Sequence, residues 1–97
     1  MQIKWLRRAL RDFDEQIEFI GENNPDAAIR SRDTIQTAVE RLADFPELGR
    51  MGRVPSTREL VVAGTRWIVI YRVTDSIEIL RVIHSAQRWP PLRFRRQ

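Results

Sequence analysis

The chain has 97 residues, enough for one domain and too few for two. Hydrophobic residues make up 42% and charged residues 31%, a globular composition. The absence of cysteine and the presence of one histidine, His84, exclude a disulfide framework, a thiolate zinc site and a histidine-rich metal centre. The formal charge of +4 is unevenly placed: residues 1–48 carry 7 Lys+Arg against 10 Asp+Glu, whereas residues 49–97 carry ten arginines against Glu59, Asp75 and Glu78.

Every basic residue except Lys4 is arginine, the side chain suited to forked contacts with phosphate and carboxylate. The basic half therefore calls for an anionic partner, nucleic acid or an acidic protein segment, unless the arginines merely reflect the composition of a GC-rich genome. No stretch has the apolar length of a membrane span and the N-terminus lacks a secretory apolar segment. A cytoplasmic protein with no membrane partner and no cofactor is expected.

Gln2–Trp5 reads as a short first strand. Leu6, Leu10, Phe13, Ile17 and Ile20 then recur at helical spacing, and this helix should stop near Gly21–Asn24. Asn24-Pro25-Asp26 is a start signal, with Asn as N-cap, Pro at the first helical position and Asp complementing the helix dipole. The second helix carries Ala28, Ile35, Ala38, Val39 and Leu42 inward and ends before Pro46, so the two helices form an antiparallel hairpin. Residues 48–55 read as a loop rich in glycine and arginine.

Three strands follow, at Thr57–Ala63, Arg66–Val73 and Ile77–His84, joined by turns at Gly64-Thr65 and Thr74–Ser76. The order β-α-α-β-β-β predicts an α+β fold in which the helical hairpin packs on one face of a mostly antiparallel four-stranded sheet. The sheet's other face is left open or covered by a partner. Trp89-Pro90-Pro91 ends the regular structure, and residues 90–97 read as a basic tail on a single domain spanning 1–97.

The element order and several segments together resemble the RelE/ParE toxin superfamily. These segments are Glu47–Arg53, Arg58-Glu59-Leu60-Val61-Val62, Ile70-Tyr71-Arg72-Val73 and Ile79-Leu80-Arg81-Val82-Ile83-His84. The resemblance implies a toxin of a type II toxin–antitoxin module, neutralised by a cognate antitoxin whose C-terminal segment wraps over it. It also implies one of two targets: DNA gyrase in the ParE-like branch, or ribosome-bound mRNA in the RelE-like branch of endoribonucleases.

RelE-like nucleases carry two lysines two apart on the second strand. They also have an arginine three residues before the third-strand tyrosine and another just after the fourth strand. The corresponding positions here hold Glu59 and Val61 or Val62, Ile68 and Ser85. Other nuclease branches use histidine, glutamate and arginine, which keeps His84 and Glu59 in view. The mismatches and the long helical hairpin favour the gyrase-directed branch, a binding toxin without chemistry of its own. The alternative is a metal-independent endoribonuclease, and a third possibility is a relative that has lost toxicity.

Under the nuclease alternative, some subset of His84, Arg81, Arg66, Arg58 and Tyr71 should converge on one phosphate, with His84 as general base and arginines stabilising the phosphorane. The competing role for His84 is a strand-end residue bonded to backbone; for Tyr71 it is core, and for Arg72 and Arg81 an ion pair with Glu59 or Glu78. Alternation puts Arg81 on the face of Ile79 and Ile83, and Arg72 on that of Ile68 and Ile70. Arg50, Arg53, Arg58 and Arg66 are expected to gather at one sheet edge, and with Arg81 and Arg88 they form the candidate surface for an anionic partner. Phe19, Trp67 and Trp89 are candidate antitoxin contacts, Phe19 and Trp67 because they sit off the apolar stripes, Trp89 because it lies beside Arg88.

Overall fold

The computed structural model describes residues 1–91; residues 92–97, most of the expected basic tail, lie outside the described residues. The elements are β1 (Ile3–Trp5), α1 (Arg7–Asn23), α2 (Pro25–Glu40), a 3-10 turn (Arg41–Ala43), β2 (Arg50–Met51), β3 (Arg58–Val61), β4 (Trp67–Val73) and β5 (Ile77–His84). The sheet order is β1-β5-β4-β3-β2, with β1 parallel to β5 and every other pairing antiparallel. The α+β architecture is the predicted one. The sheet has five strands rather than four, because the loop expected at 48–55 lays Arg50 and Met51 against Glu59 and Arg58.

The hairpin follows the sequence signals closely. The Asn24 side chain accepts the Ala27 N–H at 3.0 Å and Pro25 occupies the first turn of α2, which buries Ala28, Ile35 and Val39. On α1 the inward stripe is Ala9, Asp12 and Phe13, with Ile17 half-buried, whereas Leu10 is 45% exposed. The buried stripe is therefore turned by one position from the expected one, which hides a carboxylate in the core.

Side chains alternate across the sheet and form two apolar clusters. Against the helices pack Leu60, Val62, Val69, Tyr71, Ile77, Ile79 and Val82. On the open face Ile68, Ile70 and Ile83 pack with Leu80 and Trp89. A bulge in β5 breaks the alternation: Tyr71 pairs with Ile79 and Ile70 with Arg81, so Leu80 is the extra residue. This corrects the expectation that Arg81 shares one face with both Ile79 and Ile83, since the bulge sends those isoleucines to opposite faces.

Candidate functional site

The open face of the sheet carries most of the arginine chemistry, and Arg50, Arg53, Arg72 and Arg81 are each held by a carboxylate. Glu59, in β3, is 1% exposed. Its carboxylate accepts hydrogen bonds from Arg50 Nη2 at 3.0 Å, Arg53 Nη2 at 3.2 Å and the Arg53 backbone N–H at 3.0 Å. Burial alone would raise its pKa. The Arg53 N–H, the Arg50 guanidinium and the two positive charges outweigh that and hold it below the ordinary 4.5. The knot fixes β2 and the following turn to the sheet, which is why part of the expected loop is a strand.

A second knot joins α1 to β5. Asp12 is 5% exposed and receives Arg81 in a forked contact, Nε to Oδ2 at 2.6 Å and Nη2 to Oδ1 at 3.2 Å. It also accepts Arg8 Nε at 3.2 Å and the Val82 backbone N–H at 3.0 Å, so one carboxylate closes the edge of β5 beyond the end of β1. The Arg81 guanidinium lies 5.5 Å from the centre of the Trp89 ring, and the Trp89 carbonyl accepts Arg53 Nη1 at 3.0 Å. The Trp89 indole N–H is buried without an acceptor among the described residues.

Arg8, Arg53, Arg72, Arg81, Leu80 and Trp89 are among the residues lining one hollow of about 570 Å³ on this face. Arg72, with Ile68 and Ile70 as expected, is ion-paired to Glu78. Counting Arg50, five arginines share the three carboxylates of Asp12, Glu59 and Glu78, which leaves a local excess of two positive charges.

The expected gathering of Arg50, Arg53, Arg58 and Arg66 is only half met. Arg50 and Arg53 meet through Glu59, but Arg58 donates to the Gly49 carbonyl at 2.8 Å. Arg58 pairs across the ladder with Tyr71, while Arg66 precedes Trp67 at the other end of β4; five strand positions separate them, about 16 Å. Arg66 and Arg88 are exposed and make no ion pair among the described residues.

The five residues considered for RNA cleavage do not meet at one point: Arg66 and His84 lie together at one end of the β4–β5 ladder, while Arg58, Tyr71 and Arg81 lie several positions further along. His84 pairs with Trp67 at one end of the β4–β5 ladder, and Tyr71 pairs with Ile79 four positions along β4. The Tyr71 side chain is fully buried; its hydroxyl accepts the Gly49 N–H at 2.8 Å and donates to the Pro46 carbonyl at 2.8 Å. Burial raises its pKa above 10.0, against the lowering effects of the Gly49 N–H and Arg58. His84 Nδ1 accepts the Ala86 N–H at 3.1 Å, and the ring stands edge-on to Trp67 at 5.1 Å. Arg81 is committed to Asp12. Tyr71, His84, Arg58 and Arg81 each have a structural partner in hand.

The three aromatic candidates divide between two surfaces. Phe19 is 67% exposed on α1 and lines a shallow cleft with Trp67 and His84 on the helix side, whereas Trp89 covers the apolar patch of the open face. Asp12 was the residue that sequence reasoning passed over. Its signal was its place three residues after Ala9 and beside Phe13, on the buried arc of α1.

The family model for the ParE toxin of type II toxin–antitoxin systems, parDE, matches residues 3–89. The chain belongs to the ParE toxin family. The toxin is 48% identical over 89 residues to the toxin-family protein Y4kP of Sinorhizobium fredii, covering 92% of this chain and 93% of that one. It is 37% identical over 87 residues to toxin RelE2 of Caulobacter vibrioides, covering 89% and 97% respectively. Its fold matches a chain of the chromosomal ParDE toxin–antitoxin system of P. aeruginosa with a TM-score of 0.78 and 27% identity, over 87% of this chain and 95% of the other. No helix among the described residues is long and apolar enough to cross a membrane.

Proposed function

We propose that this toxin acts in the cytoplasm as a single domain, arresting growth by binding and poisoning DNA gyrase through protein contacts, and that its cognate antitoxin neutralises it. The observation that carries this reading is the dispersal of the candidate cleavage residues. His84 and Tyr71 stand four ladder positions apart, about 13 Å, and both are engaged by backbone groups. General acid–base cleavage needs such groups within reach of one phosphate. A toxin that works by docking needs only a surface, and the arginine-lined face with its excess positive charge supplies one.

The names of relatives such as RelE2 favour a second reading, ribosome-dependent mRNA cleavage. A pair of assays separates the two. Purified toxin added to gyrase and plasmid DNA should block supercoiling or trap cleaved DNA, while mRNA on translating ribosomes stays intact. His84→Ala should leave growth arrest unchanged. Cleaved mRNA from the wild-type toxin, lost in His84→Ala, would overturn the gyrase reading.

A further inference from the structure

The hollow of about 570 Å³ on the open face is lined by charge of one sign. Arg8, Arg53, Arg72 and Arg81 reach it from α1, the turn after β2, β4 and β5, and no carboxylate is among its described lining residues. The counter-charges stand behind it: Asp12 and Glu59 are buried, and Glu78 is the partner of Arg72.

A guanidinium carries five N–H groups, and the carboxylates use few of them. Arg8 and Arg72 each bind theirs through Nε alone, which leaves both terminal nitrogens of each without an acceptor among the described residues. Arg81 commits Nε and Nη2 to Asp12, and its Nη1 has no acceptor there either. The Trp89 indole, which also lines the hollow, keeps its buried N–H in the same condition. Arg8 further lies in the first turn of α1, where Leu6 gives no side-chain cap and no acidic residue meets the positive end of the helix dipole.

We infer that this hollow binds a small molecule through a terminal, dianionic phosphate group. The excess of two positive charges on this face matches a phosphomonoester, which carries about −1.5 to −2 at neutral pH. A carboxylate or a phosphodiester brings a single charge. The three free oxygens of a terminal phosphate meet donors from α1, β4 and β5 at once, whereas a planar carboxylate is satisfied by one fork. The donors close around one concave site instead of running in a row, a form suited to a small ligand and not to a polynucleotide backbone. Val54, Leu80 and Pro90 wall the rest of the hollow and accept the organic part. Ile68 and Ser85, at the positions where RelE-like nucleases carry arginine, do not line it, so the site is separate from the cleavage centre considered above.

The site lies on the face proposed to dock gyrase, but binding is measured on the free toxin and succeeds or fails apart from that reading. The test is calorimetric and NMR titration of the full-length toxin with adenosine monophosphate and, in parallel, with its cyclic diester. The two share base and sugar and differ in the charge of the phosphate. At low salt the monoester should bind with a Kd of about 1 mM or tighter, about tenfold more tightly than the diester, and should shift the Trp89 indole N–H resonance. Absence of saturable binding, or shifts confined to the other tryptophans, overturns the site. Equal or tighter binding of the diester overturns the dianion assignment in favour of a nucleic-acid backbone.

Arg72→Ala removes a half-exposed lining arginine and should weaken monoester binding about tenfold. Arg30→Ala, at an exposed position of α2 outside the hollow, should change it less than about twofold. Unchanged binding in Arg72→Ala overturns the proposal, and equal losses in the two variants overturn it by reducing the interaction to attraction by net charge. If Arg72→Ala does not fold, Arg8→Ala makes the same comparison from α1.

Discussion

The two faces of the sheet solve the same packing problem by different means. Under the helices, Val69, Ile77, Ile79 and Val82 are fully buried among Ala9, Ile35, Val39 and Leu42. That contact is non-directional: any well-filled set of aliphatic side chains of similar volume would hold it. On the open face, Ile68, Ile70 and Ile83 make a smaller patch. Around it, arginines from the loop, β4 and β5 are each tied to a carboxylate in one geometry. The apolar face supplies most of the driving force for folding, while the charged face fixes which loop lies where. Arginines are tolerated inside these strands because Asp12, Glu59 and Glu78 are waiting for them, so removing a carboxylate tests the distinction more sharply than removing an arginine.

The largest effect is expected where the two faces meet, at Asp12. Asp12→Ala strips the partner from Arg81, whose side chain is only 18% exposed, and leaves the Val82 N–H without its acceptor. Removing one member of a buried pair costs about 3–5 kcal/mol. Urea denaturation should show a loss of that size; a loss below about 1 kcal/mol would mean that Arg81 simply swings into water and that the junction is not a buried one.

Glu59→Gln should rank next. Two of the three donors to Glu59 belong to half-exposed guanidinium groups that water can solvate, so the cost lies towards the lower end of about 1.5–3 kcal/mol for charged hydrogen bonds. The same carboxylate predicts an acid dependence. Its folded pKa is below 4.5, so its contribution is fully present above 4.5. It is lost as the pH falls from 4.5 through the lowered folded value, because the unfolded chain takes up the proton first. Between pH 7 and pH 3 the wild type should lose more stability than Glu59→Gln. Equal losses would place the acid sensitivity in other carboxylates.

Tyr71→Phe tests a directional contact within the apolar face. It deletes the hydroxyl that holds Pro46 and Gly49, at a cost on the order of 1 kcal/mol for each hydrogen bond lost. The folded pKa lies above 10.0, so this contribution is present below pH 10.0 and declines as the pH rises, the unfolded tyrosine ionising first. The alkaline decline should be shallower in the phenylalanine variant. Gly49 explains why this contact is so close: a Cβ there would sit 2.8 Å from the Tyr71 ring and 2.9 Å from the Glu59 carbonyl.

These residues also mark where the sequence was legible. The hairpin could be read because Asn24-Pro25 and the 3.6-residue spacing act locally, within one helix. β4 and β5 could be read from their apolar runs. The bulge at Leu80 could not, because it depends on the register between two strands, and one misplaced residue reverses the face of everything beyond it. Asp12 was hidden for a related reason: its value lies in an arginine 69 residues away. The separation of Arg58 from Arg66 and His84, and the nearness of those two to each other, was invisible for the same cause, since nearness along a sheet is set by pairing rather than by sequence.

The smallest effect is expected at Arg72, and it is the most discriminating control. Arg72 and Glu78 face each other across β4 and β5 as a pair, but their side chains are 47% and 21% exposed. Water already solvates the guanidinium, so the ion pair gains little beyond what each charge has in the unfolded chain, and salt screens the remainder. Arg72→Ala should cost less than about 1 kcal/mol, and less again at high salt. Arg72 nevertheless lines the same hollow as Arg53, Arg81 and Trp89. A variant that keeps its stability yet loses growth arrest would show that this face docks a partner, which the same substitution at Arg81 could not show without first breaking the Asp12 junction.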